Sequence, residues 1–175
     1  VREMPVLKWA PHNLLTYSED FSQWLKGSGG TGITPTVTDN FTSSPFGENT
    51  AARVQLDLSG GTTTSDYSYI QVNIANTTNE TRAIWMKLNT GISADITLEL
   101  GSAGGVVTVT DEWALYSVSL NGASFDVGLR GNLNTADSVD LLVWGAHLYR
   151  SDLGGMAANP DQPPSRASYV PTTSS

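Results

Sequence analysis

Seventeen carboxylates, two histidines, five tryptophans and six tyrosines are the side chains of this 175-residue sequence that could do chemistry. Glycoside hydrolysis needs two carboxylates facing each other across a cleft, and nothing in the sequence marks out such a pair. Asp95 and Glu99 stand apart on one strand-like block, Asp111 and Glu112 fall in a turn before Trp113, and solvated surface accounts for all four. There is no Gly-x-Ser-x-Gly elbow. Absence of cysteine excludes disulfides and thiolate sites. His12 and His147 lie far apart, outside any metal-ligand spacing, and read as structural, with His147 the better placed for a polar contact. The run GSGGTG at 27–32 lacks the Lys-Ser/Thr pair of a phosphate cradle and has no long helix after it, so it reads as a loop. Acidic loops could hold a structural calcium, but no EF-hand-like loop exists and its ligands stay unassigned. No other cofactor and no catalytic activity are expected.

The aromatic residues point elsewhere. A sugar ring can stack its C–H face on an indole or phenol, and several aromatics sit on the polar parity of alternating blocks. Tyr67 and Tyr69 alternate with Ser68 and Ile70, Trp85 and Lys87 face away from Ile84, Met86 and Leu88, and Asp126 and Arg130 oppose Phe125, Val127 and Leu129. If these faces share one sheet, Tyr67, Tyr69, Trp85, Asp126 and Arg130 form a shallow glycan platform. The competing reading has loops or a neighbouring subunit covering that face.

The elements that must carry these residues are short strands. Apolar alternation recurs in blocks near 33–38, 51–58, 67–74, 81–88, 94–100, 105–110, 113–120, 124–130 and 138–150, each bounded by Gly, Asn, Asp or Ser. Block 138–150 is apolar at both parities through Leu141, Leu142, Val143 and Trp144, which predicts a central strand covered on both sides. Only SEDFSQWLK offers a helical turn, with Ser18 as its N-cap. The fold class is all-β, an antiparallel β-sandwich of jelly-roll type, with loops at 26–32 and 59–66. A long irregular C-terminal loop spans 151–167. Residues 1–12 read as a lead-in arm, 13–150 as the jelly-roll domain, and 151–175 as a loop and terminal segment packing on the domain or on a neighbour. The sequence begins at Val1, as expected of a processed chain or a piece of a longer one.

Net charge −8 with scattered Lys and Arg leaves no phosphate-binding stripe, so nucleic acid is not an expected partner. No apolar run approaches a membrane span, which predicts a soluble domain with no membrane insertion. Sequons at Asn40, Asn76 and Asn79 matter only for a protein secreted by a eukaryote.

Four segments together resemble a family of jelly-roll domains, similar to carbohydrate-binding modules, that recurs in tailed-phage tail and other virion proteins. They are NLLTYSEDFSQW at 13–24, IWMK at 84–87, VTVTDEWALYSVSL at 107–120, and LVWGAHL at 142–148 followed by SYVPT at 168–172. The match covers nearly the whole chain in order. It departs from the family pattern at His147, where Gln is common, and in the length of the 151–167 loop. KWAPHNLL at 8–15 and SDLGGM at 151–156 are further features resembling phage structural modules. The resemblance implies that Trp24, Trp85, Trp113 and Trp144 pack the sandwich.

It also implies a non-catalytic virion component in the extracellular particle, a tail, fibre or capsid decoration that assembles with other virion proteins as a homo-oligomer. The 151–167 loop supplies the interface expected of such a component: Arg150, Asp152, Leu153, Met156, Pro160 and Arg166 combine apolar anchors, stiff backbone and charge. The alternative function is a carbohydrate-binding module that attaches the particle to host surface glycan. A further alternative is an accessory module of a bacterial polysaccharide-active enzyme.

Overall fold

The computed structural model describes residues 13–74, 79–151 and 171–173. They form two five-stranded sheets packed face to face. The front sheet runs β1 (Leu25–Gly29), β4 (Tyr67–Asn73), β9 (Ser124–Arg130), β6 (Ser93–Thr97), β7 (Val106–Thr110). The back sheet runs β2 (Ile33–Thr42), β3 (Ala51–Asp57), β10 (Ser138–Arg150), β5 (Glu80–Leu88), β8 (Ala114–Leu120). Every neighbouring pair is antiparallel. This is the expected all-β sandwich.

Side-chain alternation builds the core. Phe125, Val127 and Leu129 of β9 meet Ile84, Met86 and Leu88 of β5 in one buried cluster. β10 is the middle strand of its sheet, as its two-sided apolar pattern predicts. Its inward positions are Val139, Leu141 and Val143, then Ala146 and Leu148. The change of parity comes from a bulge between Trp144 and His147, where Gly145 takes φ +62°, a conformation that costs glycine little. Trp144 and His147 therefore both lie on the outer side.

That outer side is covered locally. Phe46 stacks edge-on against Trp85 and Trp144, with ring centroids 5.3 and 5.4 Å away, and the Trp144 indole N–H donates to the Thr50 hydroxyl at 2.9 Å. Beyond Val143, β3 no longer pairs with β10. Residues 13–18 run there instead: the Leu14 amide donates to the Leu148 carbonyl at 2.9 Å, and the Ala146 amide donates to the Ser18 carbonyl at 2.9 Å. Residues 171–173 close on the same segment, since the Tyr17 amide donates to the Thr173 carbonyl at 2.8 Å and the Thr172 amide to the Ser18 hydroxyl at 2.8 Å.

Four sequence expectations are corrected. Residues 25–29 are an edge strand, not loop, because glycine on its outer face lets two tyrosines lie across it, as described below. Ser18 caps no helix. It is buried against Thr172, and the helical stretch is one 3-10 turn, Phe21–Gln23, whose N-cap position is Asp20. Trp144 is 1% exposed but lies beneath Phe46 on the outside of the back sheet, not between the sheets. Trp113 is only half-buried and precedes β8, and Trp85 is half-buried as well, so of the four motif tryptophans only Trp24 reaches the inter-sheet core. Its indole N–H donates to the Tyr17 carbonyl at 3.0 Å.

Candidate carbohydrate-binding site

The outer face of the front sheet brings Tyr67, Tyr69, Asp126 and Arg130 together around a shallow, open depression of about 240 Å³. The fifth proposed platform residue, Trp85, is not there. It sits on the back sheet under Phe46, because β5 and β4 fall in different sheets, a pairing that side-chain parity cannot reveal.

Register explains the tyrosine pair. Tyr69 lies between Gly27 of β1 and Gly128 of β9, and Tyr67 lies between Gly29 and Arg130. A methyl group at 27 would stand 2.4 Å from the Tyr69 ring, and one at 29 would stand 2.2 Å from the Tyr67 ring. Both phenols thus occupy the space that β1 side chains would fill. The rings are 5.7 Å apart and tilted by 52°. The result is two adjacent aromatic surfaces at the edge of a sheet, held by backbone instead of by bulky neighbours.

The turns entering these strands are locked by Asp66, which accepts from the Thr31 amide at 3.0 Å, the Thr63 amide at 2.8 Å and the Thr63 hydroxyl at 2.7 Å. These donors, led by the Thr31 amide, hold its carboxyl well below the usual carboxylate range. Position 66 immediately precedes Tyr67, so the clamp fixes where the tyrosine strand starts.

Polar groups complete the lining. Asp126 is 1% exposed, and one of its oxygens accepts from the Leu100 amide at 2.8 Å. Burial raises its pKa, against the opposing pull of the Leu100 amide, the Ser124 and Gln71 side chains and Arg82. Glu99 also lines the depression. Burial and then the Asp126 charge raise its pKa, while the Gly101 amide and Arg82 pull it down. Burial, with Tyr67 and Asp126, raises the Tyr69 phenol. Arg130 is spent on the scaffold: its Nε donates to the Thr64 carbonyl at 2.8 Å and Nη1 to the Leu100 carbonyl. Its own amide donates to Asn134 Oδ1 at 2.7 Å, tying β9 to the loop that follows.

Sequence reasoning missed Gln71 and Glu99 at this site. Gln71 shares the parity of Tyr67 and Tyr69, a signal that was available. Glu99 is not the solvated carboxylate its surroundings in sequence suggest: its side chain is 12% exposed and pairs with Arg82 across the sandwich. Asp111 and Glu112 are exposed, as expected. His147 is buried on the outer side of β10 with its ring 5.6 Å from that of Tyr149. Among the described residues no three His, Asp or Glu side chains cluster as metal ligands. No helix among them is long and apolar enough to cross a membrane. Of the expected interface, Arg150 ends β10 and is half-buried; Asp152, Leu153, Met156, Pro160 and Arg166 lie outside the described residues.

The fold is a jelly-roll β-sandwich, and it is similar to that of a carbohydrate-binding module. The family 11 module of the cellulosomal cellulase Lic26A-Cel5E of Clostridium thermocellum superposes with TM-score 0.50 at 14% identity, over 82% of this chain and 97% of that one. The module TmCBM61, solved with β-1,4-galactotriose, gives 0.43 at 14% identity over 80% and 99%. The enzymatically active domain of bacteriophage CBA120 tailspike protein 4 gives 0.41 at 10% identity over 78% of this chain and 21% of that one. The fold assignment rests on the first of these. No family model and no curated sequence matches the chain.

Proposed function

We propose that this domain binds a polysaccharide without cleaving it, through the tyrosine face of the front sheet. The observation that carries the reading is the seating of Tyr67 and Tyr69 over Gly27 and Gly29, beside a depression lined by Gln71, Glu99 and Asp126. Flat aromatic surface next to fixed hydrogen-bonding groups is the combination that recognises a sugar ring, apolar on its faces and polar around its rim. A core needs no such arrangement: the inward face of β4 already supplies Ile70 and Val72 to the sandwich.

This puts the carbohydrate-binding alternative ahead of the assembly role. The assembly reading leaned on the loop at 151–167, most of which is outside the described residues. The setting we propose, the surface of a phage particle with host glycan as partner, rests on the motif resemblance alone. An accessory module of a polysaccharide-active enzyme would use the same face. Titration calorimetry of the domain and of Tyr69→Ala against a panel of bacterial and plant polysaccharides tests the function. Binding that the substitution abolishes supports it. A panel that binds neither protein, or binds both equally, refutes it. Sugar release by the wild type would show instead that the domain is an enzyme.

A further inference from the structure

The back sheet carries one residue at odds with its place. Arg82 of β5 shares the parity of Ile84, Met86 and Leu88, and it is 0% exposed. A buried guanidinium survives only when its fork of donors is fully used. Here its Nε donates to the Ser124 carbonyl at 2.8 Å, Nη1 to the Leu120 carbonyl at 3.0 Å and Nη2 to the Gly122 carbonyl at 3.1 Å. Nη2 also lies 3.6 Å from Oε2 of Glu99. One cation of the back sheet thus grips the link that feeds β9 and touches a carboxylate that lines the front-sheet depression.

The surroundings are built for that contact. A methyl group on residue 122 would stand 2.4 Å from Oε2 of Glu99 and 2.8 Å from Nη2 of Arg82, so glycine there keeps the approach open. Oε2 of Glu99 is buried and makes no hydrogen bond, and its one described partner is the Arg82 charge. The other oxygen, Oε1, accepts from the Gly101 amide at 3.1 Å, and Gly101 also lines the depression. Ser124, whose carbonyl Arg82 holds, lines it too.

We propose that Arg82 is a positioning residue of the glycan site: from inside the sandwich it anchors the start of β9 and holds Glu99 as an ionised hydrogen-bond acceptor for a sugar hydroxyl. This rests on the glycan reading above. The charged groups around Glu99 are Arg82 and, behind it, Glu80 on β5, Asp126 on β9, and Arg130, which shares the depression. Asp126 favours the protonated form of Glu99 and Arg82 opposes it, so loss of Arg82 should let Glu99 take up its proton at higher pH.

The test is Arg82→Gln in the full chain, read two ways. Carbon NMR follows the Glu99 carboxyl from about pH 4 to 7, and calorimetry follows affinity for a polysaccharide that the wild type binds. The proposal expects the Glu99 midpoint to rise by about half a unit or more. Affinity at neutral pH should fall about tenfold, because Glu99 and the start of β9 lose the anchor that aims the carboxylate at the sugar hydroxyl, and it should fall further on acidification as Glu99 takes up its proton. Unchanged Glu99 titration in a folded Arg82→Gln overturns it. Should Arg82→Gln fail to fold, Glu99→Gln decides: the proposal expects weakened binding that no longer declines on acidification, and wild-type affinity with a wild-type pH profile overturns it. A wild type that binds no polysaccharide sinks the glycan reading, and the NMR titration then judges the Arg82 tether separately.

Discussion

At the level of single residues, the front-sheet face separates binding from stability. Tyr69 is half-buried and points away from the core, so Tyr69→Ala should weaken polysaccharide binding about tenfold or more while shifting Tm by only a few degrees. Calorimetry and thermal melts on the same preparations check both halves. The reverse holds for Trp144, fully buried under Phe46. Trp144→Ala should cost about 3–5 kcal/mol, and the half-buried Trp113 clearly less, measured by denaturant unfolding. Acid titration tests the buried carboxylates. Glu99 and Asp126 have folded pKa values raised above their unfolded ones, so the folded state takes up protons first. Stability should therefore rise as pH falls from neutral towards the ordinary carboxylate range. Asp66 and Asp140 are shifted the other way, so their contribution is present above the ordinary carboxylate range and is lost as pH falls below it. Tm against pH should pass through a maximum in weak acid. In Glu99→Gln/Asp126→Asn that rise on acidification should vanish, and its persistence would contradict these assignments.

Among the elements, β1 shows how backbone chemistry serves a site. Its outward positions are Leu25, Gly27 and Gly29, so beside Tyr67 and Tyr69 this edge strand offers bare backbone. Gly27→Val should keep the sandwich, because β1 is an edge strand, yet displace the Tyr69 ring and reduce glycan affinity about as much as Tyr69→Ala. Tyrosine fluorescence and calorimetry would read it. Asp66 matters for the same reason, since its three short bonds tie the turn after β1 to the turn before β4. The bulge at Gly145 is the corresponding device on the back sheet, and it sets which side Trp144 and His147 occupy.

For the molecule as a whole, closure depends on two segments far apart in sequence. Residues 13–18 extend the back sheet beside β10, and residues 171–173 bond to Tyr17 and Ser18. Truncation after residue 170 should cost about 2–4 kcal/mol, from four hydrogen bonds to Tyr17 and Ser18 at roughly 1 kcal/mol each. A truncated chain with unchanged unfolding midpoint would show that these bonds contribute nothing.

The alternation of apolar and polar residues was enough to establish the all-β class, nine of the ten strands among the described residues, the central place of 138–150, and the outward direction of Tyr67, Tyr69, Asp126 and Arg130. Period-two patterning is a local property, written into each strand by which face must leave water. Which strands become neighbours is not local. Trp85 has the same outward parity as Tyr69 yet lies on the opposite sheet, and only tertiary pairing separates them. The same limit hid β1, whose glycine-rich sequence reads as loop until the tyrosines that need its bare surface are laid across it. Glu99 and Arg82 were invisible as partners because 17 residues of chain and the width of the sandwich separate them. Sequence determined most of the strands and the parity of their side chains, because both follow from short-range burial; the site was decided by register and sheet packing, which bring distant residues within bonding distance.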